Sequence, residues 1–407
     1  MKCRHCQTEL HDTFIDLGFS PPSNDYLRPE DLMRPETCYP LRVMVCRSCW
    51  LVQTQDYAHY DQLFESDYAY FSSTSTTWLK HAADYVEMIT ARLALDKNSK
   101  VVEIAANDGY LLQYVQQRGI PCLGVEPTTS TADAARAKGI PIIEEFFGVR
   151  LAQDIAARDG KADLIAANNV LAHVPDINDF LGGMAVLLKD EGTITIEFPH
   201  LLNLIEQSQF DTIYHEHFSY LALGSVDRMM HALGLRVYDV DQIPTHGGSL
   251  RVYACHAQAA HQPTAALRRV QQQELDFGLE KIDTYQGFQA RAETIKLDLL
   301  QFLLEQKRLG KKVMAYGAAA KGNTLLNYSG VHADLLPLVA DAAASKQGKY
   351  MPGSHVPIVA PAALLAARPD YVLILPWNLK AEVEAQLAEI RGWGGRFAIA
   401  VPHMQVW

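Results

Sequence analysis

The chain contains 407 residues, of which 48% are apolar and 20% charged, and its formal net charge is −11. This length allows two or three domains, and the composition is that of an ordinary globular protein. The acidic balance argues against a nucleic-acid partner, which needs clustered Lys and Arg, and no apolar run is long enough to span a bilayer, so we expect no membrane partner.

The cysteines of the chain indicate its cellular compartment and a bound metal ion. Seven cysteines without the apolar core of a signal peptide indicate a reducing setting, and we expect a cytoplasmic protein. Two Cys-x-x-Cys pairs, Cys3 with Cys6 and Cys46 with Cys49, have the spacing at which two thiolates share one tetrahedral Zn²⁺.

The segment between these pairs is rich in proline and short, so its core is small and bound metal would supply its stability. We therefore predict a structural zinc, because four thiolates leave no open position for catalysis. The alternative is a redox dithiol pair or free cysteines. Cys38 falls outside both pairs.

Residues 57–95 have a helical pattern, and within it residues 67–75 are dense in aromatic and hydroxyl side chains. One interpretation is a helix N-cap with packed aromatics. The other is a lid segment that faces a substrate. Composition alone favours neither.

The stretch from residue 101 to 117 predicts the start of a doubly wound sheet: an apolar strand, the turn Asn107-Asp108-Gly109 and a helix. Ligands of such sheets lie beyond the carboxyl ends of the strands. Glu103 and Gly109 fit a nucleotide site built from backbone N–H groups. The next strand, residues 121–126, ends in Glu126, whose carboxylate can accept hydrogen bonds from two ribose hydroxyls.

The glycines of this turn do not form a full Gly-x-Gly-x-x-Gly pattern, so a loop that clasps a diphosphate is not expected. A ligand without a diphosphate, S-adenosylmethionine (SAM), fits better. An ordinary β-α turn without any ligand is the alternative.

Further strands are predicted at residues 141–143, 162–168 and 192–198, with a closing hairpin of residues 235–243 and 248–255. Seven strand-like runs, with helices between the first five, match the sheet of a class I methyltransferase. Phe146 and Phe147 could flank an adenine, although an aromatic there is as often in the core. The predicted cofactor-binding residues are Glu103, Ala105, Asn107, Gly109, Glu126, Phe146, Phe147, Asn168 and Asn169.

Residues 210–220 contain Tyr214-His215-Glu216-His217, an unusual density of titratable groups. His217 beside a carboxylate would be a plausible general base, because the pKa of histidine lies near working pH. The His-x-His spacing is not that of a zincin helix. A polar surface loop is the alternative. Shortly after, His246-Gly247-Gly248 predicts a hairpin turn, an active-site wall, or both.

Residues 262–308 predict amphipathic helices that lead to a second strand-turn-helix scheme at residues 312–325. Gly317 and Gly322 at a helix start, together with Lys321, could hold a phosphate, and a Rossmann-like half without ligand is the alternative. Later strands are predicted at residues 335–340, 371–375 and 397–401.

Five motifs occur in one order: the paired cysteines, residues 102–112, residues 214–217, residues 246–251, and residues 317–327. Together they resemble the sugar C-methyltransferases that act on nucleotide-linked 4-keto deoxysugars, the tetronitrose-pathway enzyme type. The resemblance covers essentially the whole chain. One departure is Ala106, where relatives commonly carry serine.

The resemblance implies an α/β protein with three parts: a zinc-binding domain at residues 1–57, a SAM-dependent methyltransferase domain at residues 58–260, and a helical linker with a C-terminal Rossmann-like domain at residues 261–407. The substrate would be a nucleotide-linked sugar, a dTDP-linked one in our expectation. The protein would be a monomer or a small homo-oligomer.

The resemblance also implies the site. His217 would be the catalytic base, with Tyr214, Glu216 and His173 around the sugar. The expected substrate-binding residues are Tyr68, Tyr70, His246, Gly247, Lys321 and Asn323. A ketone at carbon 4 acidifies the proton on carbon 3, His217 removes it, and the resulting carbanion takes the methyl group of SAM in line.

Two other function classes stay open on the residues. The cysteine pairs and the cofactor sheet also allow a zinc-ribbon methyltransferase that acts on another small molecule, on RNA or on protein. Gly317, Gly322 and Asp341 could suggest an NAD oxidoreductase or a non-catalytic binding module built on the C-terminal half.

Overall fold

The computed structural model describes residues 1–56 and 71–407, and three sheets organise these two ranges. The sheets have four, seven and six strands within the described part of the chain. The predicted substrate-binding residues Tyr68 and Tyr70 lie outside the described residues. The α/β class, with a small cysteine-bearing sheet first and two larger sheets after it, is confirmed.

The first sheet takes its last strand from far along the chain. Its order is β1-β2-β3-β9 and all its pairs are antiparallel. The strands are β1 (Asp12–Ser20), β2 (Tyr39–Val45), β3 (Val52–Thr54) and β9 (Ser219–Tyr220). Between β1 and β2 the proline-rich stretch contains a short 3-10 helix at Pro29–Met33. Because β9 directly follows the Tyr-His-Glu-His motif, this sheet holds the predicted catalytic loop.

The second sheet has the order β10-β11-β8-β7-β4-β5-β6. Strands β4 to β8 pair in parallel, while β11 is antiparallel to both neighbours. The strands are β4 (Val101–Ile104), β5 (Cys122–Val125), β6 (Ile142–Ile143), β7 (Ala162–Asn168), β8 (Leu188–Pro199), β10 (Leu235–Ile243) and β11 (Ser249–His256). The chain order reverses between β4 and β7, which opens the ligand crevice of such sheets at their carboxyl ends.

Helices cover both faces of this sheet. In α1 (Thr76–Leu93), the buried residues Ala82, Tyr85, Val86 and Ile89 follow helical spacing and form one apolar stripe against the sheet. The other helices up to the linker are α2 (Leu112–Gln116), α3 (Thr129–Ala137), α4 (Val149–Asp159), α5 (Ile177–Leu187), α6 (Leu201–Glu206) and α7 (Leu223–Ala232).

The linker follows the prediction, whereas the last sheet has a shorter strand before residue 340 and two short strands that were not predicted, at Ile358–Val359 and Gln405–Val406. The linker consists of α8 (Ala265–Phe277), α9 (Ile282–Tyr285) and α10 (Phe288–Arg308). The remaining helices are α11 (Ala320–Ser329), α12 (Pro361–Ala367) and α13 (Lys380–Gln386). Within the described residues, no helix combines the length and the apolar character needed to cross a bilayer.

The last sheet has the order β14-β13-β12-β15-β16-β17. Its strands are β12 (Val313–Tyr316), β13 (Val339–Ala340), β14 (Ile358–Val359), β15 (Tyr371–Ile374), β16 (Arg396–Ile399) and β17 (Gln405–Val406). The strand expected at residues 335–340 is therefore shorter. The backbone N–H groups of Leu335 and Leu336 both donate to the carbonyl of His332 in a turn, and Pro337 has no N–H for a ladder.

Candidate active site

The turn after β4 has an unusual backbone. Ala105, Asn107 and Gly109 have φ angles of 58°, 49° and 74°. At Gly109 a Cβ atom would lie 2.3 Å from Ile140 Cδ1, so glycine is required both by the conformation and by the close approach. The N–H of Asn107 donates to Glu126 Oε2 at 2.9 Å, which ties the turn to the acid that ends β5.

The Glu126 carboxylate is buried and already bonded. Its Oε1 accepts hydrogen bonds from Thr128 N at 3.0 Å and from Thr131 Oγ1 at 3.1 Å, in addition to the bond from Asn107 on Oε2. A carboxylate has about four acceptor sites, so one remains on Oε2 for a ligand hydroxyl. The neighbouring acid Glu103 is buried, and this burial raises its pKa well above the usual range although Tyr110 opposes the shift.

Two consecutive asparagines lie at the end of β7. Asn168 Oδ1 and both side-chain polar atoms of Asn169 are inaccessible to solvent, and within the described part of the chain they have no hydrogen-bond partner. Leaving such groups unpaired costs about 1–3 kcal/mol each. A ligand that offers both donors and acceptors at this edge, as SAM does, would satisfy them. The residues at the carboxyl ends of β4, β5 and β7 thus fit the predicted cofactor.

The two phenylalanines after β6 have different environments. Phe147 packs edge-on against Phe180, with ring centroids 5.6 Å apart, and belongs to the core. Phe146 is 58% exposed, an unusual position for an aromatic ring of this size. Phe146 is therefore the better candidate for contact with an adenine.

Of the segment at residues 67–75, the structure describes residues 71–75, which confirm the N-cap interpretation, and the interpretation as a substrate-facing lid stays a prediction. Ser75 is the N-cap of α1, because its hydroxyl accepts the N–H of Trp78 at 3.2 Å. Just before it, the N–H of Ser72 donates to Asn107 Oδ1 at 2.9 Å, and the Ser73 hydroxyl donates to the Asp108 carboxylate. This end of the segment contacts the turn predicted to bind the cofactor.

The catalytic loop brings three of the predicted residues together. The ring centroid of His217 lies 4.0 Å from that of Tyr214 and 4.7 Å from that of His173. His217 Nδ1 lies 2.8 Å from the carbonyl oxygen of Thr212. Because a carbonyl can only accept, Nδ1 carries the proton and Nε2 has a free lone pair.

The electrostatic surroundings keep His217 neutral. Burial lowers its pKa well below the ordinary value, and His173, His246 and Lys321 lower it further. Burial also lowers the pKa of His173 and of His246, each to about 4. At neutral pH these imidazoles are therefore uncharged, and His217 is able to accept a proton.

Glu216 joins this cluster through its backbone rather than its side chain. Its carbonyl accepts a hydrogen bond from His173 Nδ1 at 2.9 Å. Its carboxylate instead accepts from Asn24 Nδ2, with distances of 2.8 Å and 2.7 Å to the two oxygens. Burial raises the pKa of Glu216 to about 7, although Asn24 opposes the shift.

The loop after β10 faces the cluster from another side. His246 has a φ of 56° and lies edge-on to Trp78, with ring centroids 5.5 Å apart. The carbonyl of Gly247 accepts a hydrogen bond from Gln209 Nε2 at 3.0 Å. A Cβ atom on Gly247 would lie 2.5 Å from Trp377, so this loop is in close contact with the C-terminal sheet's loops.

Lys321, in the C-terminal half, acts electrostatically on His217 and His246 and lowers the pKa of both. Its Nζ donates to Asn378 Oδ1 at 2.8 Å and lies 4.7 Å from the ring of Trp377. Burial lowers the pKa of Lys321, and Asp211 opposes that shift. Trp377 Nε1 in turn donates to Asp211 Oδ2 at 2.8 Å.

Asn323 has a different position from Lys321. It is fully buried, and its Nδ2 donates to the carbonyl of Ser23 at 2.6 Å. The side chain therefore links α11 to the proline-rich stretch of the first domain. Its Oδ1 has no partner among the residues that the structure describes.

Sequence reasoning missed a buried charge network beside this cluster. Glu197, at the end of β8, is fully buried and accepts from His81 Nε2 at 2.9 Å, and it forms an ion pair with Arg251 on β11. Burial opposes ionisation of Glu197, but His81 and Arg251 outweigh it and lower its pKa. The available indication was an acid at the carboxyl end of an apolar strand, as for Glu103 and Glu126.

The four paired cysteines meet at one point. The sulfur atoms of Cys3, Cys6, Cys46 and Cys49 all lie within 4.8 Å of one another. Cys3 is 3.6 Å from Cys49, and Cys6 is 3.5 Å from Cys46. Four sulfurs around Zn²⁺ at about 2.3 Å are separated by about 3.8 Å, so this set fits a structural zinc.

Comparison with known proteins agrees with this geometry. Family models match residues 3–64 to a zinc binding domain, residues 78–240 to a methyltransferase domain, and residues 244–402 to a C-methyltransferase C-terminal domain. The C-methyltransferase NovU of Streptomyces niveus is 35% identical over 408 residues, which covers 100% of this chain and 96% of the relative.

Solved structures of lower identity also align. The magnesium protoporphyrin IX methyltransferase of Synechocystis with bound SAM is 16% identical, with a TM-score of 0.34, and covers 44% of this chain and 81% of its own. A SAM-dependent methyltransferase from Anabaena variabilis is 12% identical, with a TM-score of 0.35, and covers 43% of this chain and 84% of its own. The fold is assigned from the strand order of the second sheet, given above, and from the family models.

Proposed function

The chain belongs to the C-methyltransferase family, with SAM as methyl donor and a zinc site in its first domain, and from this membership we propose that it methylates carbon 3 of a nucleotide-linked 4-keto deoxysugar. The choice of a nucleotide-linked sugar as the substrate rests on the order of the five motifs along the chain. The observation that carries the mechanism is the position of His217, whose ring lies 4.7 Å from that of His173 and whose Nδ1 lies 2.8 Å from the carbonyl oxygen of Thr212, which leaves Nε2 as the lone-pair site.

His217 is the base in this proposal. The carbonyl at carbon 4 acidifies the hydrogen on carbon 3, and Nε2 takes that proton while the electron pair of the C–H bond moves into an enolate. The Thr212 carbonyl holds Nδ1–H and stabilises the imidazolium that forms. Burial disfavours that imidazolium, so His217 also returns the proton readily to solvent or product.

Tyr214 and His173 have complementary roles. The ring of Tyr214 lies 4.0 Å from that of His217, and its hydroxyl donates a hydrogen bond to the enolate oxygen in this proposal, as negative charge develops there. His173 donates from Nδ1 to the carbonyl of Glu216, and this hydrogen bond orients its ring beside the sugar in this proposal. Asn24 donates to the carboxylate of Glu216, and the backbone carbonyl of Glu216 orients the ring of His173.

SAM, when bound, supplies an electrophilic methyl group, and the new carbon–carbon bond forms to the enolate carbon as the thioether leaves. The protein contributes proximity, because sugar and cofactor must be aligned with the methyl between them. Asn107, Glu126, Asn168 and Asn169 hold the cofactor side in this proposal, through the polar groups that face the crevice.

Lys321 holds the diphosphate of the substrate in this proposal. It lies in the first turn of α11, where backbone N–H groups and the helix dipole favour an anion, and it faces the loops of the cofactor sheet. The His246-Gly247 loop forms the wall between the two halves. A dTDP-linked sugar is our first choice of substrate.

A product assay tests the function. Purified protein is incubated with SAM carrying a ¹³C methyl group and, in turn, with thymidine, guanosine and cytidine diphosphate 4-keto deoxysugars. Carbon 3 and carbon 5 both flank the ketone, so both are acidified, and NMR of the product locates the label. We expect label on carbon 3. Label on carbon 5 would refute the position alone, and no transfer to any 4-keto sugar would refute the substrate class.

A further inference from the structure

We propose that Thr54 is a positioning residue for His217, and that the zinc site fixes Thr54 in place through the adjacent Gln53. This inference rests on the proposed role of His217 as base. It concerns two consecutive residues of β3, neither of which belongs to the cysteine pairs or to the catalytic loop.

The first contact joins β3 to the cysteine cluster. Gln53 is fully buried, and its Nε2 donates to Cys3 Sγ at 3.2 Å. Its Oε1 accepts the backbone N–H of Arg4 at 2.8 Å. Both ends of this amide are therefore bonded to the first Cys-x-x-Cys turn, so a metal that fixes Cys3 also fixes Gln53.

The second contact joins β3 to the catalytic loop. Gln53 pairs with Ser219 in the ladder between β3 and β9, and the N–H of Thr54 donates to the carbonyl of Phe218 at 3.1 Å. Thr54 is only 2% exposed, and its hydroxyl donates to the carbonyl of His217 at 2.5 Å. Thr54 thus holds two consecutive carbonyls, one of them that of the base.

Arg4 extends the same connection to the second imidazole. Its Nη2 donates to the carbonyl of Thr54 at 3.1 Å, and its Nη1 donates to the carbonyl of Pro175 at 2.9 Å. Pro175 follows His173 by two residues, and His173 is the ring partner of His217. One cysteine turn therefore fixes the backbone on both sides of the imidazole pair.

The chemical consequence follows from how His217 is held. The Thr212 carbonyl sets its tautomer, while Thr54 sets the position of its backbone. Loss of the Thr54 hydroxyl would let the loop move without removing any group that contacts SAM. A displacement of about 1 Å at a reacting group can cost about 100-fold in rate.

The test compares Thr54→Val, which removes only the hydroxyl at nearly constant volume, with Thr54→Ser, which keeps it. Thr13→Val is the control, because Thr13 lies on β1, at the edge of the sheet opposite β9, and its hydroxyl is 3.6 Å from Met44 Sδ on β2. We expect Thr54→Val to lower kcat about 10- to 100-fold with the KM for SAM unchanged, and Thr54→Ser and Thr13→Val to keep kcat.

A readout without substrate separates this inference from the proposed function. Amide hydrogen exchange of residues 213–220 should accelerate in Thr54→Val and in Gln53→Leu, but not in Thr13→Val, with circular dichroism and the zinc content of Thr54→Val unchanged. Unaltered exchange in Thr54→Val, or a Thr54→Ser variant as impaired as Thr54→Val, would overturn the positioning role. Failure of the wild type to methylate any 4-keto sugar would refute the proposed function, and the exchange data would still decide about Thr54.

Discussion

At the scale of single residues, the proposed reaction uses imidazoles that burial keeps uncharged. His173, His217 and His246 each have a lowered pKa. His217 donates its Nδ1–H to a carbonyl, which leaves its Nε2 as a lone-pair site. An imidazole prepared in this way is a base rather than an acid at neutral pH. This is the protonation state that enolate formation requires.

Replacement of His217 by alanine should remove the base while leaving both ligand sites intact. General base catalysis contributes about 100- to 10,000-fold, so we expect kcat to fall by that range with little change in the KM for SAM. Steady-state kinetics measure both constants. His11→Ala is the control, since His11 is exposed on the first domain. Full activity of His217→Ala would show that another group takes the proton.

Glu216 gives a pH-dependent prediction about stability. Its folded-state pKa of about 7 lies above the ordinary 4.5. The stabilising contribution of the protonated carboxyl is therefore fully present below about pH 4.5 and is lost as the pH rises through 7. Glu216→Gln cannot ionise and should be more stable than the wild type at pH 8, by up to about 3 kcal/mol, and much less so at pH 5.

Denaturant unfolding at the two pH values measures this difference. Glu87→Gln, at an exposed position of α1, should change stability equally at both. A Glu216→Gln variant that is less stable than the wild type at pH 8 would mean that the ionised carboxylate and Asn24 form a net stabilising pair.

The sequence predicted individual residues best where the chemistry is local. The cysteine pairs are recognisable because both ligands of a pair come from one turn. Glu197 was missed because its significance depends on Arg251, which β11 brings opposite it in the ladder. The direction of the Glu216 side chain was also not predictable, since its partner Asn24 belongs to a distant loop.

At the scale of elements, Gly247 shows how one loop sets the distance between two sheets. Gly247→Ala would place a Cβ atom 2.5 Å from Trp377 and 2.8 Å from Gln209, at a φ of 87°. Gly310→Ala is the matched control, because its φ is 70° and a Cβ there meets no described atom within 4 Å. Both variants should lose about 1–2 kcal/mol from the backbone conformation alone.

Gly247→Ala alone should lose further stability beyond this backbone effect, because its new Cβ atom forces Trp377 to move. For the same reason it alone should lower kcat. Thermal unfolding and steady-state kinetics of the two variants give the comparison. Equal losses of stability and unchanged kcat in both would show that Trp377 is free to adjust and that the loop does not set the geometry of the site.

Strands were predicted well where an apolar run is bounded by turns. Residues 162–168 form β7 with the predicted bounds, and the hairpin of β10 and β11 differs by one residue. The strand expected at residues 335–340 was too long because Pro337 interrupts it. Strand β9 was not predicted, since Ser219–Tyr220 is too short to show a periodicity and exists only through its pairing with β3.

At the scale of the whole molecule, the zinc site should stabilise the other domains as well as the first domain. Cys46→Ser removes one of four thiolates, so we expect loss of about one zinc per chain and a lower melting temperature. Elemental analysis and thermal unfolding measure these effects. Cys38→Ser is the control, because Cys38 is exposed and outside the cluster. Retention of zinc by Cys46→Ser would contradict the four-thiolate site.

The order of the three parts was predictable from the motifs, whereas the way they interlock was not. The two larger sheets each have their own run of strands, most of which the sequence predicted, whereas the first sheet was not predicted and takes β9 from the middle of the chain. The contacts between them come from single side chains, such as Asn323 to Ser23 and Trp377 to Asp211, whose partners are more than 150 residues away. The domain boundaries at residues 57 and 260 stay predictions.

Strand β9 has a consequence for how the protein matures. The first sheet lacks its last strand until Ser219–Tyr220 have left the ribosome, so an N-terminal fragment of the nascent chain has an unpaired edge at β3. The same pairing positions the loop of His217, the proposed base. We therefore expect activity only after the earliest and middle regions of the chain have joined.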